Sequence, residues 1–187
     1  HRRVAEQVIA LSLDKQVGID IKAAQERKKQ AINQVAGLTV LPDAEGFDAV
    51  GGCEAVKTIL RKIIRGNDPP NTILFIDEIE KSLSGVGDTS GVSGDQLGYL
   101  LQFMQDTNAR GMIFVGPPGT AKSAIAKGLA YESSRMAVQV DLGGMKNQYV
   151  GSSEARLRAA FETIKAISGG KTLWIATSNN IESMPPE

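Results

Sequence analysis

The chain has 187 residues, 42% of them hydrophobic and 22% charged, and its 21 lysines and arginines balance 21 aspartates and glutamates. Such a composition is that of a globular, soluble domain, and zero net charge argues against a general nucleic-acid or membrane-surface binder, whose affinity rests on excess positive charge. A single cysteine, Cys53, and a single histidine, His1, exclude a disulfide framework, a cysteine metal cluster and a histidine-dependent site.

No apolar run approaches the roughly 20 residues that a membrane helix needs. No signal peptide is visible, so a cytoplasmic protein is expected. The chain starts at His1 rather than Met and stops at Met184-Pro185-Pro186-Glu187, which reads as a piece of something longer.

Residues 1–36 read as helical and polar. Val4, Val8 and Leu11 share one face, and Ile21, Ala24, Ala31, Ile32 and Val35 recur at helical spacing. Gly18 and Asp20 supply a break and an N-cap between two helices. The run Glu26-Arg27-Lys28-Lys29 is a solvated face, or else a partner patch. Residues 37–52 are loop-like, with Pro42, Gly46, Gly51 and Gly52. Residues 53–65 read as an amphipathic helix with Val56, Ile59, Leu60 and Ile63 inward, ended by Asp68-Pro69-Pro70. Cys53 is expected to be a small packed residue.

Beyond Pro70 the pattern becomes strand-helix alternation. The strands are Thr72–Ile76, Met112–Val115, Met136–Val140 and Leu173–Thr177. The helices lie near 94–106, 122–134 and 153–167. This predicts an α/β fold: a three-layer α/β/α arrangement around a mainly parallel sheet, after an N-terminal helical segment. The glycine-rich residues 84–94 are expected to form a mobile loop. Leu97, Leu100, Leu101 and Met104 should form an inner helix face, and Trp174 should be core.

Gly116-Pro117-Pro118-Gly119-Thr120-Ala121-Lys122-Ser123 follows an apolar strand and opens a helix, the context a P-loop requires. Glycines let the backbone curl so that successive N–H groups point at phosphate oxygens, and the helix N-terminus adds positive potential. Lys122 would reach the β- and γ-phosphates, and Ser123 would offer its hydroxyl to Mg²⁺. Ala121 stands where glycine usually precedes the lysine, which is tolerable if the residue is right-handed. Ile73-Leu74-Phe75-Ile76-Asp77-Glu78 is an apolar strand ending in two carboxylates at the sheet edge where ligands collect. Asp77 would hold Mg²⁺ or its water, and Glu78 would polarise the attacking water.

Together these residues resemble the AAA ATPases over about residues 46–187. That resemblance implies an ATP/ADP site with Mg²⁺. Within it, Phe47-Asp48-Ala49-Val50-Gly51-Gly52 is similar to the segment that lies against adenine, which assigns Asp48, Val50 and Gly51 alongside Pro117, Pro118, Gly119, Thr120, Ala121, Lys122 and Ser123. Gln148-Tyr149-Val150-Gly151 is similar to the pore loop that grips a threaded polypeptide. Ile175-Ala176-Thr177-Ser178-Asn179 is similar to the sensor-1 strand, whose Asn179 (or Asn180, one register on) helps orient the attacking water. The implied division is a helical leader over 1–45 and a nucleotide-binding core over 46–187 without the family's C-terminal lid. The implied parent is a ring-forming, hexameric protein remodeller, of which this piece is a monomer or a self-associating part.

The order departs from the family. Ile73–Glu78, which resembles the family's Walker B, comes before the P-loop Gly116–Ser123, which resembles its Walker A, and blocks 72–110 and 111–171 read as exchanged, by deliberate rewiring or by natural permutation. The family's sheet would place the strands in the spatial order 112–115, 173–177, 72–76, 136–140, with the junctions opposite the phosphate site. The family's arginine fingers are missing, which would cost on the order of 10³-fold in hydrolysis rate. Nucleotide binding is therefore expected, with turnover weak or absent. Two alternatives stand beside it: an engineered topology variant without a working site, and a part of a nucleic-acid motor of the same superfamily.

Overall fold

A computed structural model describes residues 13–14, 18–42, 45–83, 92–143, 145 and 152–179. Leu13–Asp14 (β1) and Gly18–Ile19 (β2) pair antiparallel, so this part of the expected leader is extended rather than helical. Val4, Val8 and Leu11 lie outside the described residues. Asp20 then caps α1 (Ile21–Asn33), its carboxylate accepting from the N–H groups of Lys22 and Ala23. On α1 Ile32 is buried, whereas Ile21 is exposed.

The main sheet has five strands in the order β3-β6-β4-β7-β5. They are β3 (Leu38–Val40), β4 (Thr72–Ile76), β5 (Arg110–Val115), β6 (Met136–Val140) and β7 (Thr172–Ser178). β4 to β7 run parallel to one another, in the spatial order expected for them. β3 runs antiparallel to β6, with Leu38 opposite Val140 and Val40 opposite Val138. The sequence reading placed these three residues in a loop. They are too few to show periodicity, and their strand state comes from pairing with a strand about a hundred residues away.

Every residue of β4 and of β7 is buried, as unbroken apolar runs should be at the centre of a parallel sheet. Alternation divides them between two layers. Leu74, Ile76, Val138, Val140, Trp174 and Ala176 join one core with residues of α1, α4 (Val92–Asp106) and α6 (Ser152–Ser168). Ile73, Phe75, Ala137, Leu173 and Ile175 join the other with residues of α2 (Glu54–Ile64) and α5 (Lys122–Ser133). Each of the larger apolar side chains among them contributes about 1.5–3 kcal/mol by leaving water. The three-layer arrangement is therefore present, with α3 (Ile79–Leu83) leading away from β4.

Some faces differ from expectation. On α2 the buried row is Lys57, Leu60 and Ile64, while Ile59 is 57% exposed; these positions follow the i, i+3, i+7 helical row. On α4 Leu100 is buried but Leu101 is exposed. Cys53 is exposed and left-handed, with φ +59°. Trp174 is core as expected, its Nε1 donating to Thr172 Oγ1 at 3.0 Å. Of the glycine-rich loop, residues 84–91 lie outside the described residues, and Val92 already opens α4.

The segments entering β4, β5 and β7 meet at one end of the sheet. Asn71 Nδ2 donates to the Ser168 carbonyl at 2.9 Å. Asp68 pairs with Lys171 at 2.6 Å and with Arg110 at 3.4 Å. Those are the segments expected opposite the phosphate site.

Candidate functional site

β4, β5 and β7 are parallel, so their C-terminal ends meet at the opposite edge, and Gly116 N–H donates to the Ser178 carbonyl at 3.2 Å. From there the chain makes a tight loop into α5. Thr120 Oγ1 closes it by donating to the Pro117 carbonyl at 2.9 Å. Gly119 sits at φ +83°, a conformation that glycine adopts without strain.

Ala121 is left-handed, at φ +61° and ψ +17°, and not right-handed as its tolerance required. The turn into the helix demands that conformation, in which a Cβ crowds the following carbonyl at a cost of about 1–2 kcal/mol. Ala121→Gly removes that strain and returns part of it as unfolded-chain entropy. The net expectation is a gain of about 0.5–1 kcal/mol, read as a melting midpoint higher by about 1–4 °C.

The loop brings its chemistry to one point. Lys122 Nζ donates to the carbonyls of Gly116 at 2.6 Å and Pro117 at 2.9 Å and to Asn179 Oδ1 at 3.1 Å. Ser123 Oγ donates to Asp77 Oδ1 at 3.0 Å. Asn179 Nδ2 donates to Glu78 Oε1 at 3.1 Å. A continuous polar chain thus runs from Lys122 through Asn179 to Glu78. Lys81 Nζ takes the other oxygen of Glu78 at 2.6 Å, and that hydrogen bond holds Lys81 above its ordinary pKa. Glu80 Oε1 accepts from the Asn179 N–H at 3.1 Å. Burial works against the charged Glu80, but donors that include its own N–H, the Asn179 N–H and the Ser178 hydroxyl outweigh it and keep its pKa low.

Asp77, Glu78, Pro118 to Ala124, Thr177 and Asn179 line a concavity of about 300 Å³. A larger hollow, about 590 Å³, lies at the other end of the sheet beside Asp68, Arg110 and Lys171. Convergent donors and carboxylates, not volume, mark the first as the chemical site. Pro117 contributes its carbonyl to Lys122 from behind the loop. The donor set suits a hard cation such as Mg²⁺: Ser123 gives its proton to Asp77, which leaves the lone pairs of its oxygen free. Among the described residues no group of three or more His, Cys, Asp or Glu could hold a metal. An ion here would therefore depend on water and on ligand oxygens, as Mg²⁺ commonly does.

The segment assigned to adenine lies elsewhere, on the α2–α5 side. Asp48 is 99% exposed, with its carboxylate 3.6 Å from Arg61. Val50 is buried, its carbonyl accepting from Lys57 Nζ, and Gly51 is exposed. None of the three lines the concavity. Tyr149, Val150 and Asn180 lie outside the described residues. The sequence reading assigned no role to Thr177, Lys81 or Glu80. A threonine ending an apolar strand was the only local signal for the first.

Phe47, fully buried, fixes this flank. Gly128 makes room for it: a Cβ there would come within 2.9 Å of Phe47 Cδ1. The Arg61 guanidinium lies 5.3 Å from the Phe47 ring centroid and donates to Glu132 at 3.3 Å and 3.4 Å. That hydrogen bond first, and the Arg61 charge with the Phe47 N–H besides, hold Glu132 below the ordinary 4.5. A lowered carboxylate stabilises the fold above its unfolded pKa, and the contribution is lost as pH falls through the folded value. Glu132→Gln should therefore melt earlier than wild type at pH 7. The difference should close below pH 4.5 in melts taken across pH.

Residues 112–184 match the family model of the ATPase family associated with various cellular activities (AAA). The peroxisomal ATPase pex6 of Schizosaccharomyces pombe is 36% identical over 98 residues, 49% of this chain and 10% of that protein. The peroxisomal ATPase PEX6 of Penicillium chrysogenum is 29% identical over 143 residues, 76% of this chain and 8% of its own length. Spastin of Dictyostelium discoideum is 27% identical over 124 residues, 65% and 18% respectively. The chain thus spans less than a fifth of each of these relatives. No helix among the described residues is long and apolar enough to cross a membrane. A P-loop-like turn beside two carboxylates at the edge of a mostly parallel sheet agrees with these matches: residues 112–184 are similar to the AAA ATPase family, and the chain is similar to AAA proteins such as PEX6 and spastin.

Proposed function

We propose that this chain binds Mg-ATP at the Lys122 loop and hydrolyses it slowly. The observation that carries the reading is the convergence of Lys122, Ser123, Asp77, Glu78 and Asn179 from three separate elements. Loop N–H groups and Lys122 would bind the β- and γ-phosphates. Ser123 and Asp77 would hold Mg²⁺, which would supply charge neutralisation at those phosphates. Glu78 would accept the proton of the attacking water, and Asn179 would orient that water. No arginine lines the concavity among the described residues, and an arginine at the transferred phosphate is worth about 10³–10⁵ in rate in related chemistry, which is why slow turnover is proposed.

Asp48, Val50 and Gly51 would border the adenine. The resemblance of residues 148–151 to a pore loop supports a parent that would work as an oligomeric ring on a polypeptide, which Tyr149 and Val150 would grip. Zero net charge favours that over a nucleic-acid motor. We also infer that blocks 72–110 and 111–171 stand in exchanged order relative to the family. Support comes from the strand order, which the exchange anticipates, and from the family match starting at residue 112. Titration calorimetry with Mg-ATP tests the main reading. Saturable binding that Lys122→Ala removes is expected, and a folded protein that takes up no nucleotide overturns it.

A further inference from the structure

Thr177 is the sixth residue of the seven-residue β7 and is completely buried. Its hydroxyl donates to Asp77 Oδ1 at 2.6 Å and accepts from the Glu78 N–H at 3.0 Å. One side chain thus grips both members of the acidic pair, the first through its carboxylate and the second through its backbone. The register explains why: Ile76 lies opposite Ala176, so the next residue of β7 meets Asp77 just where β4 ends.

Two further features converge on this hydroxyl. Asp77 Oδ1 also receives Ser123 Oγ at 3.0 Å, so two hydroxyl donors fix that oxygen and set the rotation of the whole carboxylate. Glu78 is left-handed, at φ +49°, a conformation that persists where neighbouring bonds over-determine it. The Thr177 hydroxyl supplies one such bond to its N–H. An aliphatic residue of the same shape would fill the space equally well, so packing alone does not require a hydroxyl.

We infer that Thr177 is a positioning residue for the metal side of the site. It orients Asp77 toward a bound Mg²⁺ and fixes the direction in which the chain delivers Glu78. The inference rests on the nucleotide reading above and adds to it a residue that borders the concavity but, being fully buried with its hydroxyl engaged by Asp77 and the Glu78 N–H, acts through those two residues.

The test compares ATP affinity by calorimetry in Mg²⁺ and in EDTA for wild type, Thr177→Val and Thr177→Ser, each checked first by its melting midpoint. Residues that orient metal ligands typically change metal affinity about 10–100-fold. Thr177→Val should therefore reduce the gain in ATP affinity that Mg²⁺ confers by about tenfold, with metal-free affinity within about twofold of wild type. Thr177→Ser keeps the hydroxyl and should keep the gain. If Thr177→Val does not fold, Thr177→Ala carries the same comparison. An unchanged Mg²⁺ gain in the hydroxyl-free variant overturns the proposal, and so does equal weakening with and without Mg²⁺, the mark of a merely structural role. Loss of the gain in Thr177→Ser also overturns it. A wild-type chain that binds ATP in neither condition overturns the nucleotide reading itself.

Discussion

Lys122→Ala is expected to weaken Mg-ATP binding by about a hundredfold or more while leaving the fold in place. A hydrogen bond to a charged group is worth about 1.5–3 kcal/mol, and an ammonium has three donors to aim at phosphate oxygens. Two such bonds lost are about 3–6 kcal/mol, and every 1.4 kcal/mol is about tenfold in affinity. In the structure the same donors reach the carbonyls of Gly116 and Pro117 and Asn179 Oδ1. A phosphate must displace at least one of them, so the net effect lies toward the lower end. Stability should change little, because the contacts lie at an exposed or half-buried loop. The measurement is calorimetry beside a thermal melt. Loss of binding with an unchanged midpoint places the nucleotide on this loop. Wild-type affinity in Lys122→Ala places it elsewhere.

The parts of this fold that the sequence announces are those decided locally. Thr72–Ile76 is a run of apolar and β-branched residues between Pro70 and Asp77, and only a buried strand accommodates it. The P-loop is a turn whose glycines, lysine and serine lie within eight residues. What depends on partners far along the chain is silent. Leu38–Val40 becomes a strand only because Val138–Val140 is beside it. Thr177 matters through a register with β4 at a separation of a hundred residues. The left-handed Ala121 was foreseeable as the place where glycine is usual, but its actual conformation is fixed by the tightness of the turn. That Asp77 and Glu78 precede Lys122 in the chain has no consequence for convergence. In a parallel sheet all C-terminal strand ends share one edge, so spatial order, not chain order, decides which residues meet.

Phe161→Ala should bring the largest loss of stability. Phe161 is 1% exposed on α6, where it stacks on Phe103 at 4.6 Å and meets Tyr99 at 5.7 Å and Trp174 at 6.3 Å. It therefore joins α4, α6 and β7, and Phe103 meets Trp174 directly at 6.3 Å in the same cluster. Truncating a buried phenylalanine costs about 3–5 kcal/mol, against a total of about 5–15 kcal/mol for a typical domain. The melting midpoint should fall by about 6–20 °C at this chain length. Phe161→Leu fills most of the space and should lose far less. Mg-ATP affinity measured well below the lowered midpoint should stay within a few-fold of wild type. The reason is geometric: Phe161 packs with the α1, α4 and α6 layer, whereas α5, which opens at Lys122, packs in the layer across the sheet. A Phe161→Ala protein with intact stability would mean that α6 does not pack there. A stable variant with lost affinity would mean that the two layers are coupled through β7, whose Trp174 touches Phe161 and whose Thr177 touches Asp77.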